Sequence, residues 1–291
     1  MKFILILSFI AFVEANSAFY DDIRARQLLS IAAGGFAKDP AIYVRKTFSD
    51  TNWKILEQDS VFNEKLKGNL TYYSIINDVK REIIVVFAAD EPKNQDTLTG
   101  MLKYNDDPHD FKNYGNVHNL FYDLETQIWH FVHKIIAYKD YHSYSVTYTG
   151  YSIGGAVATL AAMQTVADNL RESSHITLIT FGEPRVGNLI FANSVDRELP
   201  NIFRITHRGD PIVHLPPCLS NGKYSCTTNE PQAPHHHGTE IFYDNDMRYN
   251  ADYLRCTYND EDANCSNGLQ DGGQNFVDHE YYFQVSCFLR E

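Results

Sequence analysis

The sequence has no excess of basic residues, no cysteine before residue 218 and no long hydrophobic run after residue 13. Its 25 Lys and Arg stand against 37 Asp and Glu, a formal net charge of −12, which argues against binding to nucleic acid or to anionic membrane surfaces. Without a later run of transmembrane length, an integral membrane protein is not expected. The sequence also has no internal repeats or low-complexity tracts, and its composition is otherwise ordinary for a globular protein.

The amino terminus carries an apolar run from Phe3 to Val13, which follows Met1-Lys2 and ends in small residues around Ala15. The run is too short to span a bilayer, so we predict a secretory signal peptide over residues 1–18, cleaved between 15 and 18. An uncleaved anchor is the alternative. The remaining chain, 19–291, is expected to be secreted and to form a single domain, because about 275 residues suit one large α/β domain.

The cysteines all lie in the last quarter of the chain: Cys218, Cys226, Cys256, Cys265 and Cys287. In a secreted protein this clustering indicates local disulfides on loops. Proximity in sequence pairs Cys256 with Cys265 and Cys218 with Cys226, and leaves Cys287 over. Glycosylation sequons at Asn69 and Asn264 fit an extracellular surface.

Strand-like and helix-like segments alternate along the middle of the chain. Runs rich in β-branched and aromatic residues predict strands at 70–76, 82–87, 176–181 and 202–206. Helical spacing of apolar residues predicts helices at 19–33, 117–139 and 156–170. The run Ile83 to Phe87 is continuously apolar, as a strand buried on both faces should be. This order predicts an α/β fold with a central, mostly parallel sheet and helices on both faces.

The stretch Gly150-Tyr151-Ser152-Ile153-Gly154 joins a strand-like run to a small-residue helix pattern. It has the G-x-S-x-G pattern of a nucleophile elbow, in which a sharp turn holds the serine in a strained conformation. Glycines two residues before and after the serine leave room for the neighbouring backbone. Ser152 would then stand at a helix N-terminus, where free N–H groups favour developing negative charge. So short a pattern also arises by chance, and an ordinary turn is the alternative.

A serine nucleophile needs a base and an orienting carboxylate, which α/β-hydrolases carry in the order Ser, Asp or Glu, His. Asp210 follows the predicted strand 202–206, where open α/β sheets place ligand groups; a solvated turn aspartate is the alternative. His279 lies near the end of the chain, but order alone does not select it among twelve histidines. The cluster 235–237 has no acidic or cysteine partner at ligand spacing, so a strand-edge role is preferred over a metal site.

Five stretches, in register along the chain, resemble the motifs of the fungal-type (class 3) lipase family of α/β-hydrolases: TGYSIGGA (149–156), TFGEPRVGN (180–188), DPIVHLPP (210–217), HGTEIFY (237–243) and DHEYYF (278–283). With its cysteines, the chain looks most like the secreted nematode branch. The resemblance implies an α/β-hydrolase fold and a triacylglycerol lipase-like carboxylic ester hydrolase that needs no metal or organic cofactor. It also implies that Ser152 is the nucleophile, Asp210 the orienting acid and His279 the base.

One position departs from the family pattern. Where the family commonly has Phe-Arg-Gly-Thr or Phe-Arg-Gly-Ser, this chain has Phe87-Ala88-Ala89-Asp90. The resemblance implies that the N–H groups of Asp90 and Ile153 form the oxyanion hole. The hydroxyl that the family often supplies is lost, and a carboxylate stands near the developing oxyanion, which is expected to lower the rate.

The polar segment between Asp90 and Val117 corresponds to the region where related lipases carry a lid. Thr97 to Tyr104 is predicted to form one or two helical turns, with a solvated loop as the alternative.

The expected partners are an ester substrate and, transiently, a lipid–water interface. A phospholipase or a feruloyl-type esterase would use the same triad. A non-catalytic secreted lipid-binding protein is the alternative from another class, motivated by Asp90.

Overall fold

The computed structural model describes residues 19–92, 94–103, 107–220, 223–224, 226, 230–256, 261–269 and 273–287. The predicted signal peptide, residues 1–18, lies outside this part of the chain, as does Tyr104 at the end of the predicted lid helix. Within the described ranges, no helix combines the length and the apolar character that crossing a bilayer requires.

The helices, in chain order, are α1 (Asp22–Gly34), α2 (Pro40–Thr47), α3 (Gln95–Lys103), α4 (Asn119–Ile136), α5 (Ile153–Ala167), α6 (Leu189–Glu198) and α7 (Phe276–Glu280). The strands are β1 (Trp53–Asn63), β2 (Gly68–Asn77), β3 (Glu82–Ala89), β4 (His109–Asp110), β5 (Asn116–Val117), β6 (Ser145–Tyr151), β7 (Ile176–Phe181), β8 (Gly187–Asn188), β9 (Ile202–His207), β10 (Leu219–Ser220), β11 (Lys223–Tyr224), β12 (Pro234–His235), β13 (Thr239–Tyr243), β14 (Leu254–Arg255), β15 (Tyr281–Tyr282) and β16 (Val285–Ser286).

The central sheet has the strand order β1-β2-β3-β6-β7-β9-β13-β14. All pairings from β3 through β13 are parallel, whereas β1 and β2 at one edge and β14 at the other pair antiparallel. The predicted central, mostly parallel sheet is therefore confirmed. Because β3, β6, β7 and β9 run in the same direction, their carboxyl ends meet at one edge, and residues that follow these strands are brought together there.

Helices cover both faces of the sheet, as predicted. On one face, Ile83, Val85 and Phe87 of β3 belong to a hydrophobic cluster built with α4, α5 and α6. On the other, Ile84 and Val86 belong to a second cluster built with α1 and α2. Alternate residues of one strand thus enter two different cores, which explains why the sequence of β3 is apolar without interruption.

Some element boundaries differ from the sequence prediction for local reasons. α1 begins at Asp22 rather than at residue 19, because the side chain of Asp21 accepts two N–H groups of the first turn. α4 begins at Asn119 because the His118 side chain caps it, while Val117 belongs to β5. The strand β1 was not predicted, since most of its side chains are exposed or only half-buried.

The cysteine pairs predicted from proximity are both present as disulfides, Cys218–Cys226 and Cys256–Cys265. Cys287, left over in the sequence analysis, is a free and buried thiol. The second disulfide packs against Phe242 of β13, so it tethers the loops beside the antiparallel edge of the sheet.

Candidate active site

Ser152 lies in the turn between β6 and α5. Its backbone φ of 54° is in the left-handed region that non-glycine residues rarely adopt. A Cβ on Gly150 would lie 2.3 Å from the carbonyl oxygen of Gly154, and a Cβ on Gly154 would lie 2.3 Å from the carbonyl oxygen of Phe87 in β3. The two glycines therefore let the turn close against the sheet, which is the geometry of a nucleophile elbow.

Asp210 and His279 reach the same point from two other parts of the fold. Asp210 follows β9, and His279 lies in the short helix α7. His279 Nε2 is 3.1 Å from Ser152 Oγ, and His279 Nδ1 is 2.8 Å from Asp210 Oδ2. All three residues are fully buried. The three residues selected in the sequence analysis thus form one hydrogen-bonded chain at the carboxyl end of the parallel strands.

Further hydrogen bonds hold the carboxylate of Asp210 in place. The Tyr282 hydroxyl donates to Asp210 Oδ2 at 2.6 Å, and the Ile212 N–H donates to Asp210 Oδ1 at 2.8 Å. Burial and the neighbouring Asp210 raise the pKa of Tyr282 well above its ordinary value, so the phenol keeps its proton and remains a donor. Sequence reasoning did not single out Tyr282, although it lies within the motif that contains His279.

The backbone around His279 is fixed by contacts with β6 and β7. The Tyr151 hydroxyl donates to the His279 carbonyl oxygen, and the two rings stack with centroids 4.9 Å apart. Gly182, just after β7, has φ +57°, and a Cβ there would lie 3.1 Å from Asp210 Oδ2 and 3.2 Å from His279 Nδ1. Gly182 therefore leaves the space that the Asp210–His279 pair occupies.

The charge balance at the site favours a protonated imidazole. Burial by itself lowers the pKa of His279, but the Asp210 carboxylate, assisted by Glu91, outweighs it and raises that pKa to about 9. An imidazolium hydrogen-bonded to Asp210 is the species that forms when serine loses its proton. The arrangement is thus suited to hold the proton that a serine nucleophile releases.

The position of Asp90 differs from the sequence expectation. Its N–H donates to the carbonyl oxygen of Asn69 at 2.7 Å, extending the antiparallel pairing of β2 and β3 by one residue. Its side chain also turns toward Asn69, whose backbone and side-chain nitrogens donate to Asp90 Oδ2. In this structure the Asp90 N–H is therefore occupied within the sheet and is not an oxyanion donor, which corrects the prediction.

The other expected donor, the Ile153 N–H, lies at the site and is occupied by a residue that sequence reasoning missed. Glu91 Oε1 accepts from Ile153 N at 3.1 Å, and Glu91 Oε2 lies 3.9 Å from His279 Nε2. The Glu91 side chain is 1% exposed. The sequence signal was its position directly after Asp90, at the carboxyl end of β3. The family motif points instead to the preceding residue, Asp90, and to its N–H rather than to a carboxylate.

Glu91 is one of the residues that line an open cleft of about 610 Å³. Its walls include Lys65 and Lys67 from the connection between β1 and β2, and Thr97 and Met101 from α3. α3 confirms the predicted short helix in this region, and it buries Leu98 and Leu102 in the core.

The histidine cluster 235–237 is engaged in the core. His236 Nδ1 lies 2.8 Å from Glu261 Oε2, and His237 Nε2 lies 3.4 Å from Thr159 Oγ1. Burial, together with Arg204, lowers the pKa of His236 to about 3, so the ring is neutral. Glu261, distant in sequence, is the carboxylate partner that ligand spacing did not reveal.

Among the described residues, two groups bring together three potential metal ligands: Cys218, Cys226 and Glu261, and Glu240, Cys256 and Cys265. In both groups the cysteines are joined as disulfides. Their sulfurs are therefore not thiolates, the form in which cysteine binds metals, and neither group is a suitable metal site.

Comparison with known proteins identifies the same family as the sequence motifs do. The model of the class 3 lipase family matches residues 84–220. A lipase of Caenorhabditis elegans is 33% identical over 287 residues, which cover 93% of this chain and 81% of that protein. The chain belongs to the class 3 lipase family. A secreted mono- and diacylglycerol lipase of Fusarium solani is 45% identical over 71 residues, 24% of this chain and 20% of that protein.

The fold of this class 3 lipase is shared with solved lipases. The crystal structure of a lipase from Rhizopus microsporus var. chinensis matches with a TM-score of 0.72 at 23% identity, covering 94% of this chain and 91% of the other. The α/β-hydrolase fold is thereby confirmed. The enzyme is a carboxylic ester hydrolase of the triacylglycerol lipase type, acting on lipid esters.

Proposed function

We propose that this lipase is a secreted enzyme that hydrolyses carboxylic esters of lipids through a Ser152–His279–Asp210 triad and a covalent acyl-enzyme. The observation that carries the proposal is the continuous hydrogen-bond chain from Ser152 Oγ through the imidazole to Asp210, at 3.1 and 2.8 Å. The strained φ of Ser152 supports it, because positive φ at a non-glycine residue is costly and concentrates at functional sites.

In the proposed reaction, His279 Nε2 accepts the proton of Ser152 Oγ while that oxygen attacks the ester carbonyl carbon. Asp210 stabilises the resulting imidazolium and fixes its orientation. The Ile153 N–H, at the amino end of α5, is the proposed donor to the oxyanion. Collapse of the tetrahedral intermediate breaks the ester C–O bond, and His279 gives its proton to the leaving alcohol.

Water then repeats the sequence on the acyl-enzyme. His279 takes a proton from water, the hydroxide oxygen adds to the acyl carbon, and the second collapse releases the fatty acid and returns the proton to Ser152 Oγ. The side chains of the chain itself supply every proton transfer in this scheme. We propose that no metal or organic cofactor takes part.

The proposal extends to the location of the enzyme. Residues 1–18 are proposed to be a signal peptide, cleaved between 15 and 18, and residues 19–291 to be the single mature domain. Two disulfides support an oxidising compartment. Asn69 and Asn264, the proposed glycosylation sites, are both exposed, and a relative is a secreted lipase.

The test compares wild type with Ser152→Ala on short-chain and long-chain acyl esters. We expect the substitution to lower kcat at least about 10⁴-fold, as removal of a triad nucleophile does. Ser174→Ala is the matched control, since Ser174 is exposed and lies just before β7, at the opposite end of that strand from the triad, and it should retain activity. Full hydrolysis by Ser152→Ala would refute the triad. A folded wild type that neither hydrolyses esters nor reacts with a fluorophosphonate would favour a lipid-binding protein, and a preference for phospholipid or feruloyl esters would reassign the substrate.

A further inference from the structure

Glu91 places a buried carboxylate against the groups that are proposed to do the chemistry. It follows β3 at the same sheet edge where the triad assembles. One oxygen, Oε1, accepts the Ile153 N–H at 3.1 Å. The other, Oε2, lies 3.9 Å from His279 Nε2 and is buried without a hydrogen-bond partner among the described residues.

This arrangement corresponds to that of a reaction product. A fatty acid leaving the site carries a carboxylate, with one oxygen in the oxyanion position and the other facing the histidine that activated the attacking water. Glu91 presents the same two oxygens to the same two groups, but it is attached to the chain. A buried carboxylate is costly unless it is paired, and here its pairing depends on the catalytic groups themselves.

We propose that Glu91 is a tethered carboxylate that occupies the oxyanion site of the resting enzyme and must leave before an ester carbonyl can bind there. The inference rests on the proposed function, because it assigns Ile153 and His279 their roles in that reaction. It adds a gate at the same site, formed by a side chain rather than by a segment of the backbone.

The gate also acts on the base. Ionisable groups from several elements surround His279: Asp210 after β9, Glu91 after β3, Tyr151 of β6, Tyr282 of β15 and Cys287 beyond β16. Glu91 adds negative charge near Nε2 and helps to keep the imidazole protonated. An imidazolium cannot accept the serine proton, so the seated carboxylate fills the oxyanion donor and adds to the effect of Asp210 in keeping the base protonated. Its departure frees the Ile153 N–H and lowers the pKa of His279, on which Asp210 continues to act.

The cleft at Glu91 offers the displaced side chain a destination. Lys65 and Lys67 line the same cleft as Glu91, and their ammonium groups provide opposite charge at its wall. Lys65 already pairs with Asp123, so a carboxylate turning outward would enter an existing network of surface charges. A carboxylate that had turned toward these lysines would no longer accept the Ile153 N–H.

The experiment uses two variants with different effects. Glu91→Ala removes the occupant, whereas Glu91→Gln removes the charge but keeps an amide oxygen that can accept from Ile153. Glu64→Gln, on the exposed turn after β1, is the matched control. We expect Glu91→Ala to raise kcat/KM on a soluble short-chain ester about ten- to a hundredfold. This factor is the ratio of enzyme with Glu91 seated to enzyme with Glu91 displaced that one hydrogen bond to a charged group would maintain.

Two further readouts separate the gate from a general effect on folding. In both Glu91 variants the ascending limb of kcat/KM against pH should move to lower pH, because the pKa of His279 falls. Octanoate, a product-like carboxylate, should inhibit Glu91→Ala at a concentration about tenfold or more below that needed for wild type, because it no longer competes with a tethered carboxylate. Glu64→Gln should match wild type in all three measurements.

The outcomes distinguish this inference from the proposed function. A loss of activity in Glu91→Ala, with the fold intact by circular dichroism, would overturn the gate and make Glu91 a supporting group of the reaction. Unchanged rate, pH profile and octanoate inhibition would overturn it as well. If wild type itself fails to hydrolyse esters, the proposed function fails. NMR titration of His279 then still tests the contact between Glu91 and His279, because the pKa of His279 must be lower in Glu91→Gln than in wild type.

Discussion

Gly182 gives the sharpest prediction about how the triad is positioned. Its φ of +57° is one that L residues adopt at a cost, and its hydrogen stands where a methyl group would meet the Asp210–His279 pair. Gly182→Ala would place Cβ 3.1 Å from Asp210 Oδ2 and 3.2 Å from His279 Nδ1 and Cε1. These contacts are tighter than most Cβ contacts, and the neighbours are held by hydrogen bonds of their own, so the pair must shift.

The magnitude follows from two contributions. The left-handed backbone costs about 1–2 kcal/mol for a residue with a Cβ. Displacement of the histidine and aspartate away from Ser152 acts on catalysis, where a shift of about 1 Å costs on the order of 10²-fold in rate. We therefore expect Gly182→Ala to lose about 1–2 kcal/mol of unfolding free energy and about 10- to 100-fold in kcat.

Urea denaturation and steady-state hydrolysis of a soluble ester measure the two effects separately. Gly100→Ala is the matched control for stability, because an added Cβ at Gly100 in α3 meets nothing within 4 Å. That control should be neutral or more stable by up to about 1 kcal/mol, the difference between Gly and Ala in a helix. A Gly182→Ala enzyme with wild-type kcat would refute the claim that this glycine makes room for the Asp210–His279 pair.

Two other substitutions test the surroundings of the site. Tyr282→Phe removes the hydroxyl that donates to Asp210 Oδ2, so the Asp210 carboxylate acts more strongly on His279 and raises the pKa of His279. We expect kcat/KM to fall about tenfold and the ascending limb of its pH profile to move to higher pH. An unchanged pH profile would contradict this role of Tyr282. Glu261→Gln breaks a buried pair with Arg185 and His236 and should cost about 3–5 kcal/mol by denaturant unfolding, against little change for the exposed Glu64→Gln. Burial by itself would raise the pKa of Glu261, but Arg185 and His236 outweigh it and hold that pKa well below its ordinary value. In wild type the stabilisation from this pair should therefore be complete above the pKa of an unfolded glutamate, about 4.3, and should decline as the pH falls below it. A free energy of unfolding that is unchanged between pH 6 and pH 3 would contradict this.

Much of the fold was predictable from sequence because its signals are local. The uninterrupted apolar run of β3 indicates by itself that this strand is buried on both faces. The glycines that flank Ser152 likewise indicate by themselves a tightly packed turn. Asp210 and His279 were selected by chain order and by family motifs. In the structure, His279 Nε2 lies within hydrogen-bonding distance of the Ser152 hydroxyl that the elbow positions, and Asp210 hydrogen-bonds to the other ring nitrogen of His279.

The errors concern contacts between distant segments. Asp90 was expected to donate to the oxyanion, but pairing of its N–H with Asn69 depends on how far β2 and β3 continue their ladder. That continuation leaves Glu91, one residue later, to reach Ile153. Nothing local to Glu91 distinguishes a buried carboxylate from a solvated one at the end of a strand. The contact of Tyr282 with Asp210 also joins residues that are distant in sequence, so no local pattern indicates it.

The most direct measurement on the triad is the intact mass of the enzyme after rapid mixing with a slowly deacylated ester, followed by peptide mapping. Acyl transfer through the triad predicts a single adduct with the mass of the acyl group, on Ser152, and its loss in His279→Ala. Sustained ester hydrolysis with the adduct on another residue, or with no dependence on His279, would contradict it.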